Sequence, residues 1–248
     1  MGSGSDGAGG DSGVTDTEGD PATRYPAGIP GSQDVRPLTL IRRVVARRMT
    51  QAALTIPAVT LHREVRFARL LERRRAMDPL PSVDALVAGA VARSLVTYEL
   101  LNGSWMENPP AVLVHPERNV AVAVETTQGL TIVVLREADR RSEVELADVF
   151  QAMVERARAG RSEAADVEGA TFTITNLGAL GIDGFTPIIT PPQTGVLGIG
   201  AFRALPALGR PATLSLSFDH RVVDGAYAAR FLGDVVDRIE DGFDGRQP

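Results

Sequence analysis

The chain has 248 residues, 44% of them hydrophobic, with 26 basic against 31 acidic side chains and no cysteine. This fits one globular domain with a substantial core, and it excludes disulfides, cysteine-ligated zinc, iron–sulfur clusters and a thiolate nucleophile. The first 34 residues hold six acids and one base, Arg24, so the other 214 balance at 25 of each and offer no general basic field for nucleic acid or anionic membrane. Every base is arginine, which removes Schiff-base lysines and the phosphate lysine of P-loops.

The opening run MGSGSDGAGGDSGVTDTEGD has almost nothing to bury, so a disordered Gly/Ser/Asp-rich tail is expected over residues 1–34 and a single domain over 35–248. No apolar signal-peptide core is present, and the longest apolar helical run, Val83 to Leu101, is broken by Asp84, Arg93 and Glu99. A cytoplasmic protein without a membrane span is predicted. After Pro37 the pattern turns helical, with Leu40, Ile41, Val44, Val45 and Met49 on one face and Arg42, Arg43, Arg47 and Arg48 projecting from the rest. AVTLHREVRF reads as a strand after Pro57, followed by a helix over Ala68 to Met77. Ser82 can cap a third helix that buries Val83, Leu86, Val87, Ala90, Val91 and Leu95.

The middle is strand-rich: Val112 to Val114, Val120 to Val124 and Leu130 to Leu135 are short β-branched runs with turn residues between them. A helix is expected from Glu143 to Ala159, strands over Thr171 to Thr175, Val196 to Gly200 and Thr213 to Phe218, and a last helix from Gly225 to Glu240 with Phe231, Leu232, Val235, Val236 and Ile239 inward. The elements do not alternate regularly. A mixed α/β sheet covered by helices therefore fits better than a doubly wound parallel one. The run GVLGIG lacks the spacing of a dinucleotide fingerprint and leads into no helix, so it reads as a kinked strand. His62 and His115 read as structural, and Asn102-Gly103-Ser104 as a turn.

Chemistry concentrates where the strand ending at Phe218 runs into Asp219-His220-Arg221-Val222-Val223-Asp224-Gly225. A histidine at a strand end is well placed to act as a base. It can equally be a hydrogen-bonded turn residue, with Asp224 only the N-cap of the last helix.

The run DHRVVDG resembles the DHRxxDG signature of the acyltransferase (E2) catalytic domains of 2-oxoacid dehydrogenase complexes, which share their fold with chloramphenicol acetyltransferase. RRVVARRM, TIPAVTL, LNGSW, NVAVAVETTQGL, VERARAG, TFTITNLGALGIDGFTPIITPPQTGVLGIGA and SLSFDHRVVDGAYAARFL follow in the family's order, covering about Arg36 to Ile239. The resemblance implies a trimeric, chloramphenicol-acetyltransferase-like two-layer sandwich with acyl-CoA, typically acetyl-CoA, as co-substrate; neither a metal nor a covalent lipoyl group is expected on these residues. It implies His220 as general base, Thr175 (in place of the usual serine) as oxyanion donor, and Asp224 ordering the loop through an arginine, with Arg42 or Arg48 the candidates. Asn176, Gly178 and Gly181 resemble the tight turn beside the CoA channel, where simple turn formation weighs equally. In that arrangement His220 and Asp224 come from one subunit and Thr175 from its neighbour.

The chain also departs from its relatives. These residues contain no lipoyl or subunit-binding module, no lysine that could bear a lipoyl group, and no proline in the run Gly129 to Val134; they end DGFDGRQP rather than in an apolar anchor. A homotrimer is expected rather than a large core. The first reading is a stand-alone acyltransferase using a small-molecule or carrier-bound hydroxyl or thiol acceptor, as in natural-product pathways. The second is the E2 core of a 2-oxoacid dehydrogenase complex served by a lipoyl domain in trans. A silent scaffold is the third.

Overall fold

The computed structural model describes Met1 and residues 36–127, 129–203, 205 and 209–242; the tail expected over 1–34 otherwise lies outside them. Chain contacts separate Met1–Leu38 from Thr39–Pro248, and the fold below is that of the second unit. Its elements are helix α1 (Leu40–Thr55), strand β1 (Ala58–Arg66), α2 (Ala68–Arg75), α3 (Val83–Thr97), β2 (Gly103–Met106), β3 (Ala111–Val114), β4 (Val120–Thr126), β5 (Gly129–Leu135), α4 (Glu143–Arg158), α5 (Ala164–Val167), β6 (Phe172–Asn176), β7 (Gly195–Ile199), β8 (Pro211–Asp219) and α6 (Gly225–Glu240).

Six strands form one mixed sheet in the order β1-β8-β7-β6-β4-β5, and β2 and β3 form a separate hairpin. The β7–β6 and β6–β4 pairs are parallel and the rest antiparallel. Alternation along β8 divides its faces: Leu214, Leu216 and Phe218 join the apolar core with α3 and α6, whereas Thr213, Ser215, Ser217 and Asp219 point to the other side. The core is thus a helix layer on one face of the sheet, as the mixed α/β expectation required.

Each main helix has a local cause. Ser82 caps α3 through Ala85 N, Ser142 and Glu145 form a capping box on α4, and Asp224 caps α6 through Tyr227 N. In α6 the buried residues Ala228, Phe231, Leu232, Val235, Val236 and Ile239 recur at helical spacing. The helix α3 is buried nearly all round and built of small residues. A Cβ on its Gly89 would lie 2.8 Å from Leu146 Cδ1, so α4 packs against it at close range.

One expectation changes, and one apolar face is left uncovered. Asn102-Gly103-Ser104 is more than a turn: it leads into β2, whose pairing with β3 outweighs the turn-forming composition. In α1 the apolar stripe is not buried. Leu40 and Ile41 are 73% and 78% exposed and only Ala52 is buried, because periodicity shows that a face is apolar without showing what covers it. No helix among the described residues is long and apolar enough to cross a membrane.

Candidate active site

Backbone bonds define the turn that carries His220. Asp219 N donates to Thr194 O at 2.9 Å, His220 N to Pro57 O at 3.1 Å, and Val222 N to Asp219 O at 3.0 Å. The Asp219 side chain, 1% exposed, accepts from Arg221 N (3.0 Å), Nε (3.0 Å) and the terminal guanidinium nitrogen (2.7 Å). This fork holds the Arg221 guanidinium above its ordinary pKa. On its other side Arg221 stacks 4.8 Å from the Trp105 ring centroid. His220 itself is exposed, and its ring meets Phe218 at 5.8 Å between centroids. One turn later the Asp224 carboxylate accepts from Tyr227 N at 2.7 Å.

A second turn follows β6. Thr175 is half-buried at the end of that strand. Asn176 Oδ1 accepts from Gly178 N (2.8 Å), and its Nδ2 donates to Asp84 Oδ1 (2.7 Å), tying the turn to the first turn of α3. A Cβ on Gly178 would lie 2.3 Å from Gly200 O, so that position admits only glycine. Gly181 has φ +80° and open space around it, a left-handed position that suits glycine.

Within one chain these two turns do not meet. Thr175 is level with Gly198 in β7, and Gly198 with Ser215 in β8. His220 lies five residues further on, about 17 Å along the strand direction and about 10 Å across the sheet. Arg42 and Arg48 are both exposed, and within the chain neither is seen among the described residues to pair with Asp224, whose carboxylate accepts from the Tyr227 amide. The N-cap geometry uses that carboxylate locally, and the arginine at the turn is Arg221. His62 and His115 do have structural partners, Ser215 Oγ at 2.9 Å and Ser104 Oγ at 2.8 Å.

The family model for the 2-oxoacid dehydrogenases acyltransferase catalytic domain matches residues 30–243. The chain belongs to this acyltransferase family. It is 33% identical over 220 residues, 83% of its length, to the dihydrolipoyllysine-residue acetyltransferase component of the acetoin cleaving system of Bacillus subtilis. It covers 55% of that protein, and 49% of the acetyltransferase component of the pyruvate dehydrogenase complex of the same organism, so the chain spans about half the length of these curated relatives. Among solved structures, a truncated catalytic core of the 2-oxoacid dehydrogenase multienzyme complex from Thermoplasma acidophilum superposes with TM-score 0.79 at 32% identity, over 85% of this chain and 99% of that one. The dihydrolipoamide acetyltransferase of Azotobacter vinelandii, studied for the roles of a serine, a histidine and an asparagine in its catalytic mechanism, gives TM-score 0.78 at 29% identity, over 88% and 98%. Chloramphenicol acetyltransferase, at TM-score 0.52 and 11% identity over 78% of this chain and 94% of that one, shares the fold.

Sequence reasoning passed over four residues of this acyltransferase domain. Asp219 and Arg221 flank His220 with opposite charges, a signal available in the motif itself. Trp105 is 116 positions from Arg221 and carries no such signal. Asp84 also went unread: burial pushes its carboxyl above the usual range, partly offset by the Asn176 bond. Between the unfolded value near 3.8 and the raised native one, the native state binds more protons than the unfolded state, so stability falls as pH rises through that window. Asp84→Asn keeps an acceptor for Asn176 Nδ2 and loses the ionisation. It should be more stable than wild type near neutrality, with the advantage vanishing at acid pH. Denaturant unfolding at several pH values checks this.

Proposed function

We propose that this chain is the catalytic domain of a dihydrolipoamide acyltransferase, moving an acetyl-like group between the thiol of CoA and the thiol of a dihydrolipoyl group. What supports this acceptor reading is the relatives, which are dihydrolipoyllysine acetyltransferase components. They support the 2-oxoacid dehydrogenase reading, in place of the stand-alone natural-product enzyme that the departures from the family had favoured. Since the 248 residues hold no lysine, the lipoyl group must be carried outside them.

In this reading His220 removes the proton from the attacking thiol as sulfur adds to the thioester carbonyl. The Thr175 hydroxyl donates to the oxyanion of the tetrahedral intermediate, which collapses by expelling the other sulfur; His220 returns the proton to it. Asp224 caps α6 beside the histidine and keeps the turn in register. Asn176, Gly178 and Gly181 border the CoA channel, shaping it through the backbone of their turn. His220 and Asp224 of one subunit face Thr175 of the next in a cytoplasmic homotrimer. The observation that carries this assembly is the separation of His220 from Thr175 within one chain; the uncovered apolar stripe of α1 adds a surface for a second copy.

Purified protein incubated with acetyl-CoA and dihydrolipoamide should yield S-acetyldihydrolipoamide, followed by mass spectrometry. Transfer to candidate alcohols with none to dihydrolipoamide would overturn the acceptor assignment.

A further inference from the structure

The residue after the histidine is held from two sides. Toward the sheet, Arg221 forks onto the buried Asp219 carboxylate. Toward the hairpin, its guanidinium lies over the Trp105 ring. The Trp105 Nε1–H in turn donates to Glu107 Oε2 at 2.7 Å, which polarises the indole and makes its face a better partner for a cation. The hairpin is itself anchored. Ser104, next to Trp105, bonds His115 and bridges to Gln193, whose side chain accepts from Thr173 Oγ1 at 2.7 Å on β6. His220 sits between the two fixed residues, and no described residue hydrogen-bonds its ring nitrogens. Its aim therefore depends on the turn rather than on a partner of its own.

We infer that Trp105 is a positioning residue for His220, acting through Arg221: the β2–β3 hairpin presents an aromatic face that clamps the arginine and keeps the imidazole in its working direction. This rests on the reading of His220 as the base. Trp105 lies on the hairpin and not on the Thr175 turn, so the clamp governs the proton transfer and leaves CoA binding alone.

The test compares Trp105→Leu, which keeps apolar bulk without a π face, with Trp105→Phe, which restores one. In the acetyl-CoA/dihydrolipoamide assay Trp105→Leu should lower kcat about three- to tenfold with KM for acetyl-CoA changed less than about twofold, and Trp105→Phe should recover most of the loss. In NMR spectra, with the signal assigned through His220→Ala, the imidazole resonance displaced by the Phe218 ring should move toward its random-coil position in the leucine variant and return in the phenylalanine one. Wild-type kcat and an unmoved resonance in Trp105→Leu overturn the inference, as does Trp105→Phe remaining as impaired as Trp105→Leu. Should the leucine variant fail to fold, Arg221→Lys, which keeps the charge and gives up the planar face, is expected to show the same kcat loss; wild-type kcat there also overturns it. His220→Ala separates the two levels. If that variant stays active the catalytic reading fails, whereas an inactive His220→Ala beside a fully active Trp105→Leu sinks the clamp alone.

Discussion

Co-assembled Thr175→Ala and His220→Ala subunits should regain about a quarter of wild-type activity, although each variant alone is nearly inactive. Loss of the base is expected to lower kcat by roughly 10²–10⁴-fold and loss of one oxyanion donor by roughly 10²–10³-fold. In a closed ring each site needs an intact His220 from one subunit and an intact Thr175 from its neighbour. With random mixing in equal amounts, half of the first positions and half of the second are intact, so about one site in four is whole. A site built within one chain gives a different result, because every chain in the mixture carries one defect. Differently tagged subunits, co-expressed and purified through both tags, make the measurement direct: selecting the mixed trimers raises the whole sites from about one in four to about one in three, and mixed oligomers no more active than the single variants would refute the shared site. The sheet register motivates this prediction, since it places Thr175 level with Ser215 and carries His220 five residues beyond.

What could be read from the sequence, and what could not, divides along physical lines. The helix α6 runs over Gly225–Glu240 as expected, because an Asp cap and six apolar residues at helical spacing are local signals. The strand β8 was legible as a strand, but its place between β1 and β7 was not, since pairing over long sequence separations leaves no local trace. In α1 the apolar periodicity was legible, but what covers the stripe was not, and Leu40 and Ile41 lie exposed, because periodicity marks an apolar face without naming what packs on it. His220 and Asp224 stood out locally as a strand-end histidine and a helix cap, whereas their paired roles with Thr175 came from family motifs. The cap role of Asp224 was a local signal, since its acceptor bond comes from the Tyr227 amide three residues away, whereas a partner arginine from α1 is a long-range pairing that leaves no local trace.

Arg221→Ala is expected to be the most destabilising single change in the turn, by about 3–5 kcal/mol, because it strips the partner from a buried carboxylate. Asp219 is 1% exposed and receives two side-chain nitrogens from Arg221 in addition to the backbone amide. Without them the amide is its one remaining donor among the described bonds, and a buried charge cannot recover that solvation from a single neutral group. Asp219→Asn placed on top of Arg221→Ala removes the stranded charge, so the double variant should be more stable than Arg221→Ala alone even though it carries one more substitution. That inversion separates a desolvated ion pair from a merely exposed one, for which both singles and the double would lie within about 1 kcal/mol of wild type. Denaturant midpoints compared at one fixed protein concentration decide it, since any self-association would contribute to apparent stability. The residue between the pair is His220, so the charge burial that makes Arg221→Ala costly also fixes the backbone from which the imidazole projects.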